Sequence, residues 1–208
     1  MKLTGESKVL LSILLATVAI IGGAVFFFSK PTPPPKPIAR EELVAVDSFP
    51  IGNASASVYL VEFSDFQCPA CRAFAPVVDE LVTKYSDKLL FVYRHFPLSE
   101  HEYANPAAMA AEAAGEQGKF WEMSKLLFEN QDRFSSDLWI RLADQLKLDR
   151  TKFDAALNSP TLKAKIDRDE TAAIRLGLPG TPSFFLNGVK LTLASPLDLK
   201  KAVAEAVK

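Results

Sequence analysis

The sequence predicts an α/β domain with an inserted helical subdomain, preceded by one N-terminal transmembrane helix, and three observations predict it. Two short runs, "VYLVEF" at 58–63 and "LLFVY" at 89–93, are apolar on both faces, as central strands are, and a helical segment lies between them. Apolar residues then recur at helical spacing from Tyr103 to Gly177, before a hairpin signal and a final helix return. Ahead of all of these, Val9 to Phe28 carries no charge.

In chain order, residues 1–8 read as a short tail and 9–28 as a membrane anchor. As a helix rising about 1.5 Å per residue, the anchor spans roughly 30 Å of hydrocarbon. It is apolar on every face, unlike a helix that packs against a core from one side. It also exceeds the apolar stretch of a cleavable signal, and no small-x-small site follows Phe28, so an uncleaved anchor is expected. Lys2 and Lys8 precede it and Lys30, Lys36 and Arg40 follow, so the positive-inside rule does not orient it. Residues 29–40, containing "KPTPPPKP", read as an extended polyproline linker, and 41–208 as the folded domain with its helical insertion at about 103–177.

Within that domain, the first strand is interrupted only by Glu62. The helix at 69–85 has Pro69 suited to its first turn and Pro76 expected to kink it. In the insertion, the alanines of 107–114, the set Phe120, Met123 and Leu127, and the set Leu138, Leu142 and Leu146 each fall on one helical face and read as core. Ser159-Pro160 reads as a cap with a first-turn proline, and Gly177 as a C-terminal stop. "SFFLNGVKLTL" at 183–193 reads as a hairpin turning at Asn187-Gly188, and Ser195-Pro196 opens the last helix. Arg94 and His95, closing the second strand, read as solvated strand-end residues at least as readily as neighbours of a site.

Composition removes several classes of function. With 208 residues, 49% of them apolar, the chain can bury a sizeable core without disulfide staples. Its 24 Lys and Arg nearly cancel 25 Asp and Glu, and no basic stripe alternates with aromatics, which argues against nucleic acid as a partner. No glycine-rich nucleotide loop stands out either, so no cofactor is expected beyond a dithiol.

That dithiol is Cys68 and Cys71, both cysteines of the chain, in "EFSDFQCPACRAFAP". A structural zinc site wants four ligands, and only His95 and His101 remain to supply them, so no metal is expected. A purely structural disulfide across so short a loop constrains the unfolded chain little. Redox cycling has a physical cause: a thiol at a helix start meets unpaired N–H groups and the positive end of the dipole, which favour thiolate. The expected roles are Cys68 as the exposed attacking sulfur and Cys71 as the buried resolving one.

"CPACRAFAP", with Glu62 six residues before Cys68, resembles the active-site segment of the thioredoxin superfamily. The resemblance implies a thioredoxin fold, a buried acid at Glu62, a kinking proline at Pro76 and a cis-proline at Pro182 in "GTPSFF". The long helical stretch between Cys71 and Pro182, with "YRHFPL" and "KFWEMSKLLFENQ", is similar to DsbA-like, membrane-anchored disulfide oxidoreductases of the Thioredoxin_4 type. It further implies that Glu62 relays a proton to or from Cys71, that Thr181 and Pro182 bind an extended substrate segment, and that Pro69 and Ala70 tune the potential. DsbA of well-studied bacteria carries Pro-His between the cysteines where this chain carries Pro-Ala, so one thiolate-stabilising side chain is missing.

The function so implied is a monomeric thiol:disulfide oxidoreductase, single-pass in the cell membrane, whose catalytic domain faces the periplasm or cell-wall space, where a redox pair is not held reduced. Its partners would be exported protein substrates and a quinone-linked recycling protein of the DsbB or VKOR-like type. An extracytoplasmic reductase or isomerase is the alternative enzyme reading. A holdase that binds unfolded exported chains is the alternative without catalysis.

Overall fold

A computed structural model of the chain describes residues 5–29 and 36–208. It falls into two units, Met1–Lys36 and Pro37–Lys208. In the first, α1 (Gly5–Phe28) is one continuous helix, and its stretch Val9–Phe28 is long and apolar enough to cross a membrane. The hydroxyls of Ser12 and Thr17 fold back onto the carbonyls of Val9 and Ile13 at 2.8 and 2.9 Å. Both polar groups are thereby satisfied within the helix, as a hydrocarbon environment requires. The expected polyproline linker lies largely at 30–35, and half of the expected tail at 1–4, outside the described residues.

The second unit runs α2 (Arg40–Leu43), β1 (Ile51–Gly52), β2 (Val58–Ser64), α3 (Pro69–Lys84), β3 (Leu89–His95), α4 (Ala104–Gly115) and α5 (Phe120–Glu129). After a 3-10 turn at Gln131–Arg133 come α6 (Leu138–Gln145), α7 (Arg150–Ala156), α8 (Pro160–Arg175), β4 (Ser183–Leu186), β5 (Val189–Lys190) and α9 (Pro196–Ala206). The strands form one sheet in the order β1-β3-β2-β4-β5, with β2 and β3 parallel and the other neighbours antiparallel. The helices α4 to α8 are the insertion, entered from β3 and left toward β4.

Both faces of the sheet are covered, which explains why β2 and β3 read as continuous apolar runs. Leu60, Phe91, Tyr93 and Phe184 join a core with α3, α4, α5 and α9, while Val61, Phe63, Val92 and Phe185 join a second core with Leu43, Ala172 and Ala173. The hairpin turns where expected, since Asn187 and Gly188 both have positive φ, at 49° and 83°. Its return strand β5 is only two residues long, shorter than the 188–193 run suggested.

Arg94 and His95 are a correction to the solvated reading: both are only 2% exposed. Parallel pairing with β2 continues through Phe63↔Arg94 and Ser64↔His95, so the strand end is interior. Arg94 Nε lies 2.8 Å from Asp169 on α8 and its Nη1 donates to the Leu43 carbonyl. His95 Nε2 lies 2.9 Å from Glu112 on α4, whose other oxygen is 2.6 Å from Lys165 Nζ on α8. Glu112 is thus the shared acceptor that lets a lysine and a histidine be buried together. Glu112→Ala is expected to cost about 3–5 kcal/mol of unfolding free energy, because it strands a buried ammonium without its partner. Denaturant titration measures it, and a loss under about 1 kcal/mol would show the triad to be idle.

Candidate active site

The segment between β2 and α3 carries the cysteines. Cys68 is the N-cap residue of α3 and Pro69 is its first helical residue, where a missing N–H leaves no bond unmade. Both cysteines are free thiols, Cys71 fully buried and Cys68 6% exposed. Cys68 is therefore less exposed than expected, and it differs from Cys71 only in keeping a small accessible surface. Pro69 and Ala70 between them are exposed, and α3 runs on through Pro76 to Lys84.

The two sulfurs are driven in opposite directions. Cys68 is pulled down to about 5, chiefly by the Cys71 thiol, which donates toward it, and further by Thr181 and the backbone N–H groups of Cys71 and Ala70; burial opposes the shift. Cys71 is pushed far up by burial, with its interaction with Cys68 and the charge of Glu62 acting the same way. Cys68 is thus the more acidic sulfur of the pair and Cys71 the more basic one.

Glu62 lies on β2, on the face shared by Leu60 and Tyr93, and is 4% exposed. Burial pushes it up to about 8, and the charges of Cys68 and Asp79 add to that while Ser64 tempers it. The Tyr93 phenol beside it is raised as well, by burial first and then by the charges of Cys71 and Glu62. A cleft of about 790 Å³ between α3 and α5 reaches both residues and is rimmed by Arg72, Asp79 and Lys125.

From the opposite side comes the segment before β4. The Thr181–Pro182 peptide is cis, and the Thr181 carbonyl oxygen is 3.5 Å from Cys68 Sγ. Ser183 Oγ donates to the Gly180 carbonyl at 2.8 Å and closes that turn. Every residue singled out in the sequence for the site, Cys68, Cys71, Glu62, Thr181, Pro182, Pro69 and Ala70, thus falls in or beside one cluster at the C-terminal end of β2.

Other members of the cluster carried no recognisable sequence signal. Asp65 is buried, and its carboxylate accepts from the N–H groups of Gln67 and Leu98 and from His101 Nδ1 at 2.7–3.0 Å. Gln131, on the 3-10 turn of the insertion, donates to the carbonyls of Phe66 and Cys68 at 2.8 and 3.0 Å.

The chain is similar to known proteins in both sequence and fold. A family described as Thioredoxin matches residues 45–205. A thioredoxin-like oxidoreductase from Silicibacter pomeroyi DSS-3 is 29% identical, with a TM-score of 0.69 over 81% of this chain and 98% of its own. A variant of alpha-DsbA1 from Wolbachia pipientis is 26% identical, with a TM-score of 0.70 over 81% of this chain and 95% of its own. Among curated relatives, a protein named Na(+)/H(+) antiporter NhaA 3 from Salinispora tropica is 43% identical over 66% of this chain and 21% of its own length. The chain spans between about a fifth and a third of the length of the curated relatives it matches.

Proposed function

The chain belongs to the thioredoxin family whose match covers residues 45–205, and from that premise we propose that it is a membrane-anchored, extracytoplasmic thiol:disulfide oxidoreductase that introduces disulfides into exported proteins. The observation that carries the reading is the geometry of the pair, with Cys68 capping α3, Cys71 wholly buried one turn on, and the Thr181 carbonyl before the cis Pro182 standing 3.5 Å from the Cys68 sulfur. The likeness to antiporters covers a small part of each. It fits a shared redox domain better than shared ion transport.

In the oxidising direction, a client thiolate attacks Cys68 Sγ of the Cys68–Cys71 disulfide, forming a mixed disulfide and expelling Cys71. Cys71 is a poor leaving thiolate, so it needs a proton, and Glu62 at about 8 carries one at neutral pH. A second client thiolate then attacks the client sulfur and releases Cys68 as a stabilised thiolate. A low-pKa thiol leaves fastest, so this step is favoured. Two electrons pass from the client dithiol to the two sulfurs of the chain, and a quinone-linked membrane partner would accept them. The Thr181 carbonyl beside Cys68 would receive an extended client segment, with Pro182 lining it. Helix α1 would hold the domain at the membrane as a monomer.

A stabilised reduced form is what makes a dithiol pair oxidising, and Cys68 at about 5 lies between the thiols of thioredoxin at about 7 and DsbA at about 3.5. The full chain in detergent, equilibrated in glutathione buffers with free thiols trapped, is expected to show a potential closer to about −120 mV than to about −270 mV. A value near the thioredoxin end would replace the oxidant reading with the reductase one.

A further inference from the structure

The role of the helical insertion at this site is readable from its hydrogen bonds. Four consecutive residues lead into α3, and the insertion or the loop entering it holds each one. Asp65 is held by His101 Nδ1 at 2.7 Å and the Leu98 N–H at 3.0 Å. The Phe66 carbonyl accepts from Gln131 Nε2 at 2.8 Å, and the Gln67 side chain accepts from the Tyr103 N–H at 2.6 Å. The Cys68 carbonyl accepts from the same Gln131 nitrogen at 3.0 Å, while the Cys68 N–H donates to the Asp65 carbonyl at 3.1 Å.

These contacts differ from ordinary packing. A core that merely covered the loop would use apolar side chains, yet here a buried carboxylate and a buried amide are spent on its backbone. The same stretch sets where Cys68 Sγ stands relative to the N–H groups of Ala70 and Cys71, which stabilise its thiolate only at short range. The Cys68 N–H is held from outside α3, and the Cys68 carbonyl is shared between the Arg72 N–H of α3 at 3.2 Å and Gln131 at 3.0 Å.

We propose that Gln131 and His101, the latter through Asp65, are positioning residues by which the insertion places the Cys68 sulfur over the start of α3. The inference rests on the thiol-exchange reading of the site. Neither residue touches the reacting sulfur. Losing either lets the loop relax, moves the sulfur off its N–H donors and makes Cys68 a weaker thiolate.

The test is the pH dependence of Cys68 alkylation by iodoacetamide in the reduced full chain in detergent, resolved by peptide mass spectrometry. The titratable group bonded to the sulfur is Cys71 on α3, and the charged groups on the elements around it are Glu62 on β2, the Arg72–Asp132 pair and the His101–Asp65 pair. Gln131→Met leaves all of them in place, so a shift in its midpoint reports position. It is expected to raise the midpoint by about 0.7 pH unit and to slow alkylation about fivefold at pH 4, below both midpoints, the weight of roughly one hydrogen bond on the thiolate equilibrium. His101→Leu should act alike. His101→Asn puts an amide nitrogen where Nδ1 stands and should restore the wild-type profile, whereas His101→Gln should not. Should Gln131→Met fail to fold, the His101 series decides alone. Wild-type profiles in folded Gln131→Met, His101→Leu and His101→Gln, or equal shifts in all three His101 variants, would overturn the positioning role. A wild-type midpoint in the ordinary thiol range would instead sink the functional reading beneath it.

Discussion

Cys71→Ser is expected to stop the reaction at its covalent midpoint, while Cys68→Ser is expected to abolish it. In the reduced Cys71→Ser chain, Cys68 still attacks a client disulfide, because the helix N–H groups that stabilise its thiolate remain, although it loses the Cys71 thiol as a donor. Resolution then fails for want of a second sulfur. A one-to-one adduct with a disulfide-bearing client should accumulate on a non-reducing gel and disappear on adding dithiothreitol. In Cys68→Ser the remaining sulfur is fully buried and its pKa strongly raised, so no adduct forms and turnover falls to background. An adduct through Cys71 in that variant would invert the assigned roles. Client binding that survives Cys68→Ser, with no exchange by the wild-type chain, would favour the holdase reading instead.

What could be read from the sequence was what is local. Residues 58–63 and 89–93 announce buried strands because every side chain there is enclosed, and Asn187-Gly188 announces its turn because both positions need positive φ. Cys68 caps α3 and Cys71 lies in its first turn, so their spacing is visible locally, while the choice of redox chemistry over zinc or a structural disulfide needed the scarcity of other ligands, the helix start and the family resemblance. Arg94, His95 and Asp65 were opaque for the opposite reason. Their burial depends on Asp169, Glu112 and His101, far along the chain, and a charged residue at a strand end looks the same whether or not a partner waits for it. Gln131 is the clearest case, a glutamine in a short turn whose meaning comes from two carbonyls more than 60 residues earlier. Thr181 and Pro182 became legible only through the family resemblance, since Pro182 in the stretch Pro179-Gly180-Thr181-Pro182 otherwise reads as loop.

Glu62→Gln is expected to change both the pH profile of stability and the rate of Cys71's proton transfer. The folded-state pKa of Glu62 is raised from 4.5 to about 8, so between those values the folded chain holds a proton that the unfolded chain has lost. Stability from this group is present at low pH, falls as pH rises through that window and is flat above it. Cys68 works oppositely in the reduced chain: its folded pKa lies near 5 against 9 unfolded, so its contribution grows as pH rises through that range. The two trends would mask each other, so the measurement belongs on the disulfide form, where both thiols are gone while the burial that chiefly raises Glu62 remains. There, wild-type unfolding free energy is expected to drop on the order of 3 kcal/mol between pH 5 and 9, and Glu62→Gln to flatten the drop. The same variant cannot supply a proton to Cys71, so opening of the disulfide by a client thiol should slow about 10²-fold at neutral pH, the lower end for a positioned general acid. A flattened stability curve with an unchanged rate would leave Glu62 a buried acid and remove it from the chemistry. An undiminished drop in Glu62→Gln would show that another group carries the pH dependence.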